Sequence, residues 1–124
     1  MLLDASQSQL VLVDYQAKLM PAIFEADAVT RNAVRLGQLA RLMKVPAWGT
    51  EENPSGLGPS LPEIRDLCQR TLSKMQFSAV EEGLAEWLRA PAPAQPRGNA
   101  RSLPKHLQKA APAQEERNMI VIAG

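Results

Sequence analysis

Apolar and polar residues are blocked along this chain in alternating periods, and the blocks predict strands and helices by turns. Gln9 to Asp14 (Gln-Leu-Val-Leu-Val-Asp) is a short, continuously apolar, β-branched run ending in a carboxylate, as expected of a strand buried on both faces of a parallel sheet. From Asp27 the period changes. Val29, Ala33, Leu36, Ala40 and Met43 recur at helical spacing while Arg31, Arg35, Gln38 and Arg41 fill the other side, which predicts an amphipathic helix. Val45-Pro46 ends it, because the residue before a proline is pushed out of the helical region. Ala47 to Thr50 reads as a second short strand, and Glu51 to Pro59 as a loop punctuated by Pro54, Gly56, Gly58 and Pro59.

Ser60-Leu61-Pro62-Glu63 has the pattern of a capping box and predicts a second helix with Ile64, Leu67, Cys68 and Thr71 inward. Leu72 to Phe77 reads as a third strand. Ser78-Ala79-Val80-Glu81 repeats the capping pattern and opens a third helix with Val80, Leu84, Trp87 and Leu88 as its apolar stripe. Between Ala90 and Arg117, which hold five of the ten prolines, large apolar residues almost vanish. This Pro/Ala-rich stretch is expected to be an exposed, mobile excursion with one short helix from about Ser102 to Ala111. Asn118 to Gly124 then returns to a buried-strand pattern. The alternation predicts an α/β fold, a three-layer, Rossmann-like parallel sheet with helices on its faces. Chemistry in such sheets sits outside the carboxyl ends of the strands, and the sequence stops at that end of its fourth strand. The expectation is one incomplete domain over 1–124, lacking a loop that would belong to the site.

Composition narrows the function. With 45% hydrophobic and 22% charged residues the chain is globular. Fourteen Lys+Arg against thirteen Asp+Glu give a net charge of +1, which argues against nucleic acid as a partner. The apolar runs are too short for a membrane span, and no basic segment opens a secretory leader. One cysteine, Cys68, permits no internal disulfide and points to the cytoplasm.

Candidate chemistry concentrates at strand ends. Asp14 could serve as a general base, or simply cap a loop. Lys74, in a predicted interior strand, needs a paired or wet ammonium; Asp14 is its obvious partner. Their contact is expected to be solvated, so that losing it changes stability little. Cys68 reads as a core residue on a helix, not a nucleophile. His106, in the proline-rich stretch, reads as a solvated loop histidine, and with one His and one Cys no metal site is expected. Gly56-Leu57-Gly58 is turn chemistry rather than a phosphate loop. Glu51 and Glu52 follow the second strand, so one of them could point into the cleft; Glu51 and Phe77 are the candidate substrate contacts.

Leu10 to Gln16, Val45 to Gly58 with its Thr-Glu-Glu-Asn-Pro-Ser-Gly-Leu-Gly stretch, and Lys74 to Ala79, in this order and spacing, resemble the isochorismatase-like cysteine hydrolases, especially small isochorismatase-domain hydrolases of unassigned substrate. The resemblance covers Leu10 to about Leu88 and Met119 to Gly124. It implies an Asp/Lys/Cys hydrolase of C–N amide-type bonds, with Asp14 as base, Lys74 stabilising a thiolate, and no cofactor. The family's cysteine lies after the fourth strand in a motif like Gly-x-Glu-x-His-x-Cys, and Cys68 does not match it. Family substrates are small molecules: nicotinamide-like amides, carbamoyl compounds and, without a cysteine, the isochorismate vinyl ether. A homo-oligomer is expected. A rival reading is a non-catalytic folding or interaction module that assembles through an exposed edge strand.

Overall fold

The computed structural model describes residues 2–75, 78–89 and 117–124. The predicted helix at Ser102 to Ala111, His106 within it, and the expected strand end at Gln76-Phe77 lie outside the described residues.

Strands β1 (Ser8–Val13), β2 (Ala47–Glu52), β3 (Arg70–Lys74) and β4 (Met119–Ala123) form one parallel sheet in the order β3-β2-β1-β4. The chain steps outward from β1 to β2 to β3, then returns to the other side of β1. Helix α1 (Ala26–Leu42) joins β1 to β2, and two single-turn helices, α2 (Pro54–Leu57) and α3 (Pro62–Arg65), lie between β2 and β3. After β3 comes a wide helical turn over Val80–Leu84, continued by α4 (Ala85–Arg89) across a kink at Gly83.

Alternation along β1 explains the layers. Leu10 and Leu12 pack with Ala33 and Ala40 of α1 and Ile64 of α3 on one face, whereas Val11 packs with Trp48, Leu84 and Trp87 on the other. Helices therefore cover both faces, as the sequence predicts. Gly37 lets α1 approach the turn after α3, since a Cβ there would lie 2.7 Å from Leu67 Cδ1. The segment leading into β4 is tied back to the sheet: the Arg117 guanidinium donates to the Ala5 and Ser8 carbonyls at 2.7 and 3.0 Å, and Gln9 Nε2 donates to the Arg117 carbonyl at 3.1 Å.

Several sequence expectations are corrected. The helix expected to run from Ser60 to Thr71 is only α3; its N-cap is Leu61, without a side-chain cap, and the Ser60 N–H is instead bonded to Glu51. Cys68 lies in the turn before β3, and Thr71 is inside β3. No side-chain cap forms before Val80, which is exposed and takes no part in the apolar stripe. The fourth strand is half-buried, with Ile120 48% and Ile122 70% exposed. Among the described residues, no helix is long and apolar enough to cross a membrane.

Candidate active site

Three charged side chains meet at the carboxyl ends of β1, β2 and β3. Lys74 is the last residue of β3, and its side chain is among the most buried in the protein. Its ammonium lies 2.7 Å from Glu52 Oε2 and 3.2 Å from Asp14 Oδ2. The register makes this meeting possible, because Glu52 of β2 lies directly beside Lys74 while Asp14 follows β1 in the next position across. Asp14 and Glu52 keep 16% and 23% of their side-chain surface exposed, so the lysine is buried behind carboxylates that reach solvent. Burial opposes the ammonium's charge, but hydrogen bonds to Glu52 and Asp14 and their Coulombic attraction outweigh it and hold the Lys74 pKa above the usual lysine value. The expectation of a solvated pair is thus corrected for the lysine.

Asp14 adopts a left-handed backbone (φ 56°), a conformation that Asp tolerates better than most residues. The chain turns off the strand there while the Asp14 N–H still bonds the Thr50 carbonyl at 3.1 Å. Thr50 Oγ1 donates to Asp14 Oδ1 at 2.7 Å, leaving Oδ2 toward Lys74. Asp14 also stands at the switch point of the sheet, between β1 and β4, where the strand order reverses; the crevice outside such a point is where open α/β sheets bind ligands. Gly124, next along β4, packs so closely that a Cβ on it would lie 2.8 Å from Val13 Cβ and 2.9 Å from the Val13 carbonyl oxygen.

A clamp holds the rim. Gln16 is fully buried; its Nε2 donates to the Glu52 and Gly58 carbonyls, each at 2.8 Å, and its Oε1 accepts the Glu52 N–H at 2.7 Å. Gly58, at φ 80°, takes a backbone conformation that a side chain would strain. The Ala17 and Lys18 N–H groups bond the Pro59 and Leu57 carbonyls, stitching the segment after β2 to the segment after β1.

Sequence reasoning placed Asp14 and Lys74 together and the structure joins them directly. It read Glu51 and Glu52 as loop acids of which one could enter the cleft, with Glu51 the candidate substrate contact, whereas both lie inside β2 and alternation separates them. Glu52 reaches Lys74. Glu51, 3% exposed, accepts from the Ser60 N–H at 2.8 Å and pairs with Arg65 at 3.4 Å. Phe77 lies outside the described residues. Cys68 stands before the first residue of β3 and Lys74 is its last, so about 20 Å of extended chain separates them. Cys68 also lines a cleft with Arg41, Lys44 and Ala47 at the amino end of β2, and burial pushes its thiol pKa up to about 11. No cluster of metal-ligating side chains occurs among the described residues.

No family model matches the chain. Among curated relatives, isochorismatase domain-containing protein 2 of Danio rerio is 36% identical over 88 residues, covering 71% of this chain and 45% of that protein. The Homo sapiens protein of the same name is 40% identical over 73 residues, 59% of this chain and 36% of that protein. Among solved structures, MAR1 ribonuclease from Caenorhabditis elegans superposes with a TM-score of 0.65 at 24% identity, over 71% of this chain and 47% of that one. The YcaC gene product of Escherichia coli, described as an octameric hydrolase of unknown specificity, superposes with a TM-score of 0.55 at 28% identity, over 60% and 39%. The chain spans less than half the length of each of these proteins. In sequence and in fold it is thus a relative of the isochorismatase-domain proteins, with the isochorismatase-like parallel α/β fold over the part of them that it spans.

Proposed function

We propose that this chain carries the acid–base part of a hydrolase site acting on C–N bonds of small amide-type substrates. The carrying observation is the buried Lys74 ammonium bonded to the Asp14 carboxylate at the sheet's switch point. In this reading Asp14 takes the proton of the attacking nucleophile, and Lys74 stabilises the anion that results. Cys68 does not supply the nucleophile, because it lies at the other end of β3 with a raised pKa. Gly124 packs against Val13, next to Asp14, and the reading places the attacking nucleophile in the crevice over that switch point. The site works without a metal or cofactor, and an unpaired thiol suits a cytoplasmic setting.

The test is hydrolysis of a panel of small amides and carbamoyl compounds by the natural polypeptide that contains this chain. Activity is expected to fall by at least about 100-fold in Lys74→Met and to survive Cys68→Ser. Loss of activity on Cys68→Ser, or full activity of Lys74→Met, refutes the assignment.

One observation favours a second reading, an interaction module that assembles through its edge. β4 is one of the two edges of the sheet in the described residues, with Ile120 and Ile122 exposed on it, and an apolar edge is a template for further pairing. Homo-oligomerisation through that edge is compatible with the hydrolase reading. Size-exclusion chromatography separates the cases: a monomer at all concentrations removes the assembly reading.

A further inference from the structure

We propose that Glu52 is a positioning residue of this site, holding the Lys74 ammonium in place and leaving Asp14 free to exchange a proton. The inference deepens the hydrolase reading and rests on it for its kinetic arm alone.

Three observations carry it. First, Lys74 is bonded to two carboxylates, and the contact to Glu52 is the shorter, 2.7 against 3.2 Å. Charge-assisted hydrogen bonds strengthen as they shorten, so Glu52 is the main anchor of the ammonium. Second, the Glu52 backbone is fixed on both sides by one buried amide, Gln16, which accepts its N–H and donates to its carbonyl. Glu52 therefore meets Lys74 from a rigid strand end, whereas Asp14 follows its strand in a left-handed turn. Third, Asp14 is already bonded to Thr50 through Oδ1, which orients its carboxylate at the switch point where a nucleophile would arrive.

The roles follow from charge. A single carboxylate facing a buried ammonium would be locked as its counter-ion, and protonating it would leave that charge uncompensated. With Glu52 as a second carboxylate, Asp14 can accept a proton while Lys74 stays paired. The charged groups that face the Lys74 ammonium among the described residues are Asp14 after β1 and Glu52 on β2; Glu51, also on β2, is paired with Arg65 instead. The raised Lys74 pKa agrees, with the Glu52 hydrogen bond foremost among the effects that raise it.

The test reads Lys74 directly. In the full chain, the Lys74 titration is followed by NMR of its labelled Cε or Nζ, in the wild type and in Glu52→Gln, Glu52→Asp and Asp14→Asn. Glu52→Gln keeps the side-chain shape and is expected to lower the Lys74 midpoint by roughly one unit or more, further than Asp14→Asn does. Glu52→Asp, one methylene shorter, should fall between wild type and Glu52→Gln. In the hydrolase assay, Glu52→Gln should lower kcat with little change in KM and move the alkaline limb of the pH profile to lower pH, while Asp14→Asn lowers kcat/KM by about 10²–10⁴-fold. A Lys74 midpoint unchanged in Glu52→Gln overturns the proposal whether or not hydrolysis is found. A lowered midpoint without any hydrolase activity upholds Glu52 as the anchor and counts against the hydrolase reading alone. An unchanged pH profile in active Glu52→Gln also overturns it.

Discussion

A lysine ammonium withdrawn from water needs counter-charge, and Lys74 finds it in Asp14 and Glu52. Lys74→Met leaves those carboxylates facing one another without the cation, but both still reach solvent, so the cost should fall below that of breaking a fully buried pair, at about 1–3 kcal/mol. Urea denaturation checks it; an unchanged midpoint would show that the contact is as solvated as an exposed pair. The pH dependence has a definite sign. The folded Lys74 pKa lies above the ordinary 10.5, so the stability its charge contributes is intact below that value and is lost as pH rises through the folded pKa. Cys68 adds to the same alkaline loss, since its pKa rises from 9.0 to about 11 on folding and the unfolded chain ionises first. That two-unit rise should also slow thiol alkylation at pH 8 about 100-fold relative to the unfolded chain. Labelling at the unfolded rate would place Cys68 in a reactive setting instead.

At the scale of elements, the Gln16 clamp and the strand ends decide where the charges meet. Gln16→Ala removes three hydrogen bonds and leaves the Glu52 N–H and the Gly58 carbonyl without them, which should cost about 2–4 kcal/mol. Denaturant unfolding that moves by much less would mean that water replaces the amide. β1, α1 and the alternation of strand and helix were legible because their periods are unmixed. The segment after Ser60 was not, because Ile64, Leu67, Cys68 and Thr71 are spaced like a helix face. The chain leaves the helix after Arg65 so that Gln69 can bond the Ala47 carbonyl and Arg70 can lie beside Trp48, a long-range demand that local spacing does not carry. Asp14 and Lys74 were legible because a charge expected at the end of a buried strand needs a partner, although β3 stands at an edge of the sheet of the described residues and not in its interior. Glu52 was missed for a geometric reason: ending β2 at Thr50 gave no basis for choosing it over Glu51, and only a strand continued to Glu52 gives their opposite directions.

At the scale of the whole molecule, the sheet of the described residues has two edges, β3 on one side and β4 on the other, and on β4 Ile122 is 70% exposed. Ile122→Lys should reduce self-association with a stability change within about 0.5 kcal/mol, as for surface substitutions elsewhere. Sedimentation at several concentrations checks this, and association unaffected by the substitution would move the contact away from β4. The function proposed for the molecule depends on the switch point at the carboxyl ends of the strands, where Asp14 stands beside Lys74. Its most direct test is kcat/KM for amide hydrolysis by the natural polypeptide containing this chain, wild type against Asp14→Asn. Loss of a general base should lower it by about 10²–10⁴-fold while the unfolding midpoint stays close to wild type; an Asp14→Asn variant that hydrolyses amides at the wild-type rate would rule Asp14 out as the base.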